Sequence, residues 1–365
     1  MFRKLFQNLI QKRLAYAKEK DLEYRINHID DRNKSRITEN TRLTSEQISA
    51  IEQLWGKYRH IRYDAHTFYY EKTGIFSPLF IPDSIHYKLI DPYFNDWTLA
   101  KYIDNKCYYH RIFKGVKTPK MVAYRLNGFW YNSADEISSY EKSVESVMAT
   151  EVCFIKKATQ SYGGKGVFYF SPKTQTKDEL LKILQSIPSD LVIQEGVKQS
   201  AVLARLNETS VNTVRLISLL RKDGTVKVYS GVFRMGINGS KVDNQSSGGI
   251  TCGIEEDGRL KGVAYGSFGM GPKHVEHPTS HVRFPDVVIP GYEALKDLVK
   301  ILHPQVPHFR LVSWDFALNK ANEPELIEVN LCDGGLDLHQ LNNGPLFGED
   351  TEAILNEVFL QNTGK

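Results

Sequence analysis

Apolar residues recur at helical spacing through the first part of the chain. Within residues 1–20 they take one side of a predicted helix and basic residues take the other, the apolar positions being Phe2, Leu5, Phe6, Leu9, Ile10 and Leu14. A second helix is predicted from Thr44, because TSEQ has the form of a capping box ahead of another apolar helical pattern. Residues 61–95 are aromatic and contain three prolines, which predicts an irregular connection. We therefore expect residues 1–95 to form a helical N-terminal region.

From about Asp96 the pattern changes to short strands that alternate with helices. Residues 152–157 and 166–171 predict two strands joined by a glycine-bearing turn, followed by a helix over 177–187 and a strand over 191–195. The segments TVRLISLL and TVKVYSGVFRMG predict a hairpin that turns at Asp223-Gly224, and FRLVSWDFAL with PELIEVN predicts another strand pair. Mostly antiparallel strands mixed with helices indicate an α+β fold.

Composition narrows the class of protein. The chain has 365 residues, 41% hydrophobic and 25% charged, as in ordinary soluble proteins, and its net charge of +4 does not by itself indicate nucleic-acid binding. The four cysteines are widely spaced, which predicts neither a disulfide framework nor a zinc site. No apolar run is long enough to span a membrane, and the N-terminus does not resemble a signal peptide. We expect a cytoplasmic protein that does not bind nucleic acid.

A glycine-rich turn joins the first two predicted strands. It contains Gly163, Gly164, Lys165 and Gly166. Glycines allow backbone N–H groups to point at a ligand, and such an arrangement suits phosphate. The sequence is not a P-loop, since no GK[ST] closes it and no helix follows at once. An ordinary glycine-rich hairpin is the alternative interpretation.

Two adjacent lysines end the strand that leads into this turn. Lys156 and Lys157 must point to opposite faces of a strand, so at most one of them points into a site. A lysine there is able to bind a phosphate as a point charge. The pair also fits two solvated lysines at a strand edge.

The last predicted strand pair carries two carboxylates and an amide. Glu328 and Asn330 share one face of a strand, and a loop over 319–324 places Asp315 opposite Glu328. Facing carboxylates are destabilising unless a cation lies between them, and their oxygens are ligands that Mg²⁺ prefers. A solvent-facing acidic hairpin is the alternative, but the surrounding side chains are apolar. The pattern predicts a magnesium site.

Polar residues also interrupt an apolar strand between these two motifs. Arg215 and Asn212 lie in NETSVNTVRLISLL, where an unpaired charge would be costly. An arginine there either pairs with a buried carboxylate or binds a phosphoryl group of a ligand. The loop 242–250 is polar and glycine-bearing, and it contains Asp243, Asn244, Gly248 and Gly249.

Taken in order, these motifs over roughly residues 100–345 resemble the ATP-grasp superfamily. DNK at 104–106 is similar to the lysine-bearing start of its N-terminal lobe, and IQEGVKQ at 193–199 is similar to its hinge. VNTVR, FRMG, VDNQSSGG, EHP and SWDFAL with LIEVN resemble the sugar-transfer-associated ATP-grasp group. The resemblance implies an ATP-grasp fold, with an N-terminal lobe over 96–192 and a C-terminal lobe over 193–365.

The resemblance also implies a role for each motif. Phosphates of ATP would meet Lys106 and either Lys156 or Lys157, beneath the glycine-rich turn. Adenine would lie at the hinge, at Gln194, Glu195, Gly196 and Val197. Arg215 would act with Lys156 in catalysis by stabilising the γ-phosphate or an acyl phosphate, and Asp315, Glu328 and Asn330 would hold Mg²⁺.

The implied reaction is the ATP-dependent ligation of a carboxylate to an amine, with ADP and phosphate as products. The family context implies polysaccharide biosynthesis, with a sugar acid and an amino acid or amino sugar as partners. Candidates for the acceptor side are Asn212, the loop 242–250, Lys273 and His277, and ordinary loop polarity is the alternative for each. A phosphotransferase and a non-catalytic nucleotide-binding module remain alternative functions.

Residues 1–20 admit two interpretations. A basic amphipathic helix is able to lie on an anionic membrane surface, which would place the protein at the inner membrane face. The same apolar face is also able to pack on the body of the protein.

Overall fold

The protein is described by a computed structural model, which covers residues 2–159, 166–240, 243 and 248–360, with the side chains of residues 2–12, 15 and 267 excluded. The chain forms two compact units. One unit combines the N-terminal residues through Phe94 with the chain from Asn343 onward, and the other is Asn95–Asn342. The chain after Asn343 thus joins the N-terminal helices, although the sequence pattern grouped it with the second lobe.

The first helix is long, and the helices that follow it are much shorter. They are α1 (Phe2–Ser35), α2 (Ser45–Trp55), α3 (Asp64–Thr73), α4 (Asp83–Ile85), α5 (Asp91–Phe94), α6 (Trp97–Ile103), α7 (Tyr109–Ile112), α8 (Tyr140–Met148), α9 (Lys177–Ser186), α10 (Ala201–Ala204), α11 (Tyr292–Leu302), α12 (Leu336–Asn343) and α13 (Thr351–Leu355). A π-helical turn, His86–Ile90, joins α4 to α5.

The strands form two sheets. They are β1 (Met121–Leu126), β2 (Phe129–Asn132), β3 (Ile137–Ser138), β4 (Cys153–Lys157), β5 (Val167–Phe170), β6 (Leu191–Glu195), β7 (Thr213–Leu220), β8 (Val226–Met235), β9 (Ile250–Ile254), β10 (Leu260–Gly266), β11 (Lys273–His274), β12 (Leu311–Leu318) and β13 (Pro324–Asn330). The six-stranded sheet has the order β3-β2-β1-β6-β4-β5, and the seven-stranded sheet has the order β11-β10-β9-β8-β7-β12-β13. The neighbouring strands of both sheets pair antiparallel within the described residues, which agrees with the α+β prediction.

The first unit is built around buried aromatic side chains. Tyr69 stacks on Phe80 at 4.8 Å between ring centroids, and both are fully buried. The predicted irregular connection over 61–95 is therefore wrong, because α3, α4 and α5 lie within it. Its prolines did not exclude helix: Pro82 is the N-cap of α4, and Pro92 lies in the first turn of α5, where a missing N–H is tolerated.

The six-stranded sheet is covered on one face by helices. Ile155 of β4 and Ile193 of β6 pack in a core with Val147 of α8 and Leu184 of α9. Burial alternates along β4, so Phe154 and Lys156 point to the other face. That second face of the sheet therefore carries the charged side chain of Lys156.

The seven-stranded sheet likewise has an apolar face and a polar face. Val214 and Leu216 of β7 lie in a core with Trp314 of β12 and with Leu295 and Val299 of α11. The residues that alternate with them on β7, Thr213 and Arg215, therefore point to the opposite face. Strand alternation thus places Thr213 and Arg215 on the face away from α11.

Several local predictions are confirmed. Thr44 caps α2 with both bonds of a capping box, and β7 and β8 form the predicted hairpin, with Gly224 at φ +83°. No helix in the described part of the chain combines the length and apolar character needed to cross a bilayer. The side chains of residues 2–12 lie outside the described residues, so membrane contact by residues 1–20 stays a prediction.

Candidate functional site

Three ionic residues form a row across neighbouring strands of the large sheet. Asp315 on β12 is the direct partner of Glu328 on β13 and of Arg215 on β7. Directly opposed residues in antiparallel strands point to the same side of a sheet. The predicted register of Asp315 and Glu328 is therefore confirmed, and Arg215 extends the row.

Asp315 is a buried carboxylate between two guanidinium groups. Arg215 donates from Nε to Oδ1 at 2.6 Å and from Nη2 to Oδ2 at 2.5 Å, and Arg234 donates from Nη1 to Oδ2 at 2.9 Å. Asp315 is 1% exposed. Burial alone would raise its pKa, but the attraction of the two arginines lowers it to about 2. Asp315 in turn raises the pKa of Arg215 against the opposing effect of burial.

Glu328 meets a different cation. Lys106, on the segment between α6 and α7, donates from Nζ to Glu328 Oε1 at 2.7 Å. Burial would lower the pKa of Lys106, but attraction from Glu328 and Asp104 raises it. Tyr109 fixes this segment on β13, because its hydroxyl donates to Asp104 Oδ1 at 2.6 Å and lies 3.3 Å from the carbonyl oxygen of Val329.

Asp315, Glu328 and Asn330 carry the oxygen atoms that a magnesium ion requires. Each carboxylate oxygen has two lone pairs; Oδ2 of Asp315 accepts two of the described N–H groups and Oδ1 accepts one, so Oδ1 retains a lone pair. Asn330 shares the face of Glu328, and its side-chain nitrogen is buried with no hydrogen-bond partner among the described residues. An amide flip would present its oxygen there instead. Two carboxylates and an amide fit a magnesium ion.

Among the described residues, no third acidic side chain and no histidine or cysteine completes a metal site with the two carboxylates. Within residues 2–159, 166–240, 243 and 248–360, no group of three or more His, Cys, Asp or Glu side chains is arranged to hold a metal. The candidate site therefore depends on the amide of Asn330 as its third ligand.

Lys156 and Lys157 occupy different environments. Lys156 lies 3.4 Å from Gln194 Oε1, on the face of β4 that also carries Phe154. Burial, reinforced by repulsion from Lys106, lowers the pKa of Lys156 to about 8. Lys157 is exposed, and its side chain runs beside Gly166 on the other face. Of the two lysines, Lys156 is the one that shares an electrostatic environment with Lys106 and Glu328.

A pocket of about 610 Å³ opens along the hinge. Phe154 and Tyr169 form its aromatic wall, with an edge-to-face contact at 5.9 Å between ring centroids. Its other walls come from Glu195–Gln199 and Glu208–Val211. Gln194 is buried just before the hinge, and Glu195 is bonded to Lys120 at 2.7 Å. Because Phe154 and Lys156 share a face of β4, this pocket and the cationic groups lie along one strand.

The glycine-rich turn is described only at its end. Gly163, Gly164 and Lys165 lie outside the described residues. Gly166 has φ +83°, a conformation that favours glycine, and its carbonyl oxygen accepts from the Lys157 N–H at 3.3 Å.

Two candidates for the acceptor side are instead engaged in holding the fold. Asn212 is fully buried, and its amide nitrogen lies 3.1 Å from Gln199 Oε1 and 2.9 Å from the carbonyl oxygen of Asn207. His277 is also fully buried, with Nε2 at 3.0 Å from the carbonyl oxygen of Gly236. Its Nδ1 accepts from the backbone N–H groups of residues 279 and 280, so the Nε2–H tautomer is assigned. Both side chains therefore hold backbone groups of the fold, and their contact with a substrate stays a prediction.

The remaining acceptor candidates lie in different places. Asp243 is buried; its Oδ2 accepts from the Thr213 hydroxyl, and its Oδ1 lies 3.6 Å from Arg234 Nη2. Asn244 lies outside the described residues, Gly248 is exposed with φ +91°, and Gly249 is buried. Lys273 is an exposed residue of β11 at the edge of the sheet. Of the acceptor candidates that the structure describes, only Asp243 joins the ionic group around Asp315.

Sequence reasoning missed three residues of this site. Arg234 resembles Arg215, because both are charged residues in apolar strands. The sequence therefore contained enough information to identify Arg234 as a candidate. Phe154 and Tyr109 gave no such signal, because an aromatic residue in a strand or short helix is most often part of the core.

Comparisons with known proteins identify the family of this chain. The family model described as sugar-transfer associated ATP-grasp matches residues 86–355, about three quarters of the chain. No curated protein matches the sequence. Among solved structures, an ADP complex of N5-carboxyaminoimidazole ribonucleotide synthetase is 13% identical with a TM-score of 0.38, covering 64% of this chain and 46% of its own.

Two further solved structures are similarly distant. The D-alanine-D-alanine ligase from Coxiella burnetii is 10% identical with a TM-score of 0.39, covering 71% of this chain and 59% of its own. D-cycloserine synthetase is 11% identical with a TM-score of 0.43, covering 73% of each chain. The chain thus spans about half the length of the first structures it matches, and these distant similarities add nothing to the family match. On the family match, the chain belongs to the sugar-transfer-associated ATP-grasp family.

Proposed function

We propose that the protein is an ADP-forming ligase that activates a carboxylate with ATP and joins it to an amine. The observation that carries the proposal is the row Arg215–Asp315–Glu328, with Lys106 bonded to Glu328. Cations and oxygen ligands on one face supply what the terminal phosphates of ATP and their metal ion require. Lys156 adds a cation between this row and the hinge pocket.

The hinge pocket is the proposed position of the adenine ring. Its aromatic wall supplies an apolar face for stacking, and the hinge backbone at Glu195–Val197 supplies hydrogen-bonding groups. A nucleotide that begins there extends along β4 past Phe154 to Lys156. The phosphates then reach Lys106 and the row of ionic residues.

The protein's residues then perform three tasks. Lys106 and Lys156 neutralise and hold the phosphates, and Glu328, Asn330 and Asp315 would hold a magnesium ion, which would withdraw charge from the terminal phosphates. Arg215 contacts the γ-phosphoryl group as it passes to the substrate carboxylate to form an acyl phosphate. The amine attacks that acyl carbon and phosphate leaves, with no covalent bond to the protein.

The substrate class follows from the family description alone. A family associated with sugar transfer makes a sugar acid the proposed carboxylate and an amino acid or amino sugar the proposed amine, within polysaccharide biosynthesis. Asp243 and the glycines 248 and 249 are the proposed acceptor residues, since Asp243 adjoins the ionic group.

The test is a screen for ADP release with purified protein, Mg²⁺, ATP and pairs drawn from uronic acids, amino acids and amino sugars. We expect ADP and phosphate only when both a carboxylate and an amine are present. Glu328→Gln is the inactive control, and Glu325→Gln on the same strand, whose carboxylate meets Asn319 at 3.2 Å, is the matched active control. A stable phosphorylated product formed without an amine would establish a phosphotransferase instead. Nucleotide binding with no ADP from any pair would contradict the proposed reaction.

A further inference from the structure

Arg234 connects two buried carboxylates. Its Nη1 donates to Asp315 Oδ2 at 2.9 Å, and its Nη2 lies 3.6 Å from Asp243 Oδ1. Arg234 is 7% exposed, and Asp243 is 8% exposed. The hydroxyl of Thr213, its direct partner on β7, donates to the second oxygen of Asp243. The guanidinium group is thus fixed between the two acids by the register of β7 and β8.

Asp315 therefore has two cationic partners, one more than its charge requires. Arg215 binds it through Nε and Nη2, which leaves the Nη1 edge of that guanidinium group facing Gly335. A buried carboxylate that loses its only cation is strongly destabilised. With Arg234 in place, Asp315 keeps a charge-assisted hydrogen bond even when Arg215 moves away.

We propose that Arg234 is a positioning residue, which holds Asp315 in place while Arg215 turns from Asp315 to the terminal phosphoryl group of the nucleotide. The proposal rests on the proposed function, because that function requires Arg215 to contact the phosphoryl group. Arg215 and Arg234 thereby have separate tasks, although both bind the same carboxylate. Without Arg234, Arg215 is the only guanidinium group among the described residues that is bonded to Asp315, and it stays bound there.

A simpler role for Arg234 would be to neutralise Asp243. The two roles differ in what happens when both partners are removed together. If Arg234 serves only Asp243, the charge-balanced variant Arg234→Met with Asp243→Asn should bind nucleotides as the natural protein does, although its acceptor site would be changed. If Arg234 serves Asp315, that double variant should retain the defect of Arg234→Met.

The experiment measures binding of two nucleotides by calorimetry in the presence of Mg²⁺, and it requires no acceptor. The probes are ADP and the ATP analogue adenylyl imidodiphosphate, whose extra phosphoryl group reports the Arg215 contact. We expect the natural protein to bind the analogue about tenfold more tightly than ADP, the effect of one charge-assisted hydrogen bond. Arg215→Met, Arg234→Met and the double variant should lose this preference while their affinity for ADP changes by less than about threefold.

Three results would overturn the proposal: preference for the analogue restored in the double variant, preference retained in Arg234→Met, or no preference in the natural protein. Thermal unfolding establishes that each variant is folded. Where Arg234→Met does not fold, the charge-balanced double variant decides alone, since retained preference contradicts the proposal and lost preference supports it. Because only nucleotides are used, this outcome is separate from that of the ADP-release screen, which tests the ligase reaction.

Discussion

Asp315 and Glu328 lie directly opposite one another on adjacent strands, yet each carboxylate is bonded to different cations. Asp315 is bonded to Arg215 and Arg234, whereas Glu328 is bonded to Lys106. The repulsion expected between facing carboxylates is therefore offset before any metal binds. The two acids differ in burial, because Asp315 is 1% exposed and the side chain of Glu328 is 28% exposed.

Asp315→Asn should destabilise the protein more than Glu328→Gln does. The first change leaves the buried Arg215 without its carboxylate partner and leaves Arg234 with Asp243 alone, a loss of about 3–5 kcal/mol in the free energy of unfolding. The second removes one charge from a partly exposed pair. Urea unfolding of the two variants measures the difference, and an equal or reversed order would show that Asp315 contributes no more to stability than Glu328 does.

The contribution of Asp315 to stability should depend on pH in a defined window. Its pKa is about 2 in the folded protein against an ordinary value of 3.8, so the folded state favours the charged carboxylate. The stabilisation is complete above the ordinary value and is lost as the pH falls toward 2. The difference in unfolding free energy between the natural protein and Asp315→Asn should therefore shrink over this range. A difference that stays constant down to the folded pKa would contradict the assignment.

Lys156→Met should weaken ATP binding by about tenfold, the effect of removing one charged hydrogen-bonding partner. Lys157→Met is the matched control, because Lys157 is exposed on the opposite face and should leave the affinity nearly unchanged. The pKa of Lys156 is about 8, so its positive charge is lost as the pH rises through that value. Affinity of the natural protein for ATP should fall over the same range.

Calorimetry across this pH range checks that prediction. A phosphate partner favours the ammonium form, so ATP binding near the pKa of Lys156 should take up protons from the buffer. Lys157→Met should show the same uptake, and Lys156→Met should show less. Equal proton uptake in both variants would show that Lys156 does not contact the phosphates of ATP.

Gly335→Ala should displace Arg215. A Cβ at Gly335 would lie 3.3 Å from Arg215 Nη1 and 3.0 Å from Leu338 Cδ2, closer than most such contacts. We expect the preference for adenylyl imidodiphosphate over ADP to change in this variant. Gly224→Ala is the control, since Gly224 has φ +83° against +80° at Gly335 but nothing within 4 Å of its added Cβ.

A comparison of Gly335→Ala with Gly224→Ala separates the effect of backbone strain from the effect of contact with Arg215. Both substitutions place alanine at positive φ, at a cost of about 1–2 kcal/mol each. If the two variants bind both nucleotides alike, Gly335 does not position Arg215.

His277→Ala should act on stability and not on nucleotide binding. Its ring satisfies the carbonyl of Gly236 and two backbone N–H groups, so their loss should cost about 1–3 kcal/mol. Lys273→Ala, on an exposed strand edge, should change stability by less than about 0.5 kcal/mol. Chemical unfolding with ADP titration measures both effects, and a large loss of ADP affinity in folded His277→Ala would contradict a purely structural role.

The sequence determined most local features of this protein. Period-two alternation and a loop over 319–324 predicted the pairing of Asp315 with Glu328, and that pairing is found. The loop is one residue shorter than predicted, however, because Leu318 pairs with Pro324, and a bulge between Asp315 and Phe316 restores the predicted register. The capping box at Thr44 and the Asp223-Gly224 hairpin could also be predicted from the sequence, because each depends on residues adjacent in the chain. The helices within 61–95 could not be predicted, since buried aromatic packing outweighed the local effect of three prolines.

Tertiary structure alone decided which partner each polar residue takes. Asn212 and His277 had the same polar appearance in sequence as Asp243, but packing buried the first two among backbone groups and placed Asp243 beside Arg234. The choice between Lys156 and Lys157 likewise depended on which face of β4 meets the core of α8 and α9. Ion pairs such as Arg215 with Asp315 join residues a hundred positions apart. Such pairs form only when sheet order brings distant strands together, and a local pattern carries no information about that order.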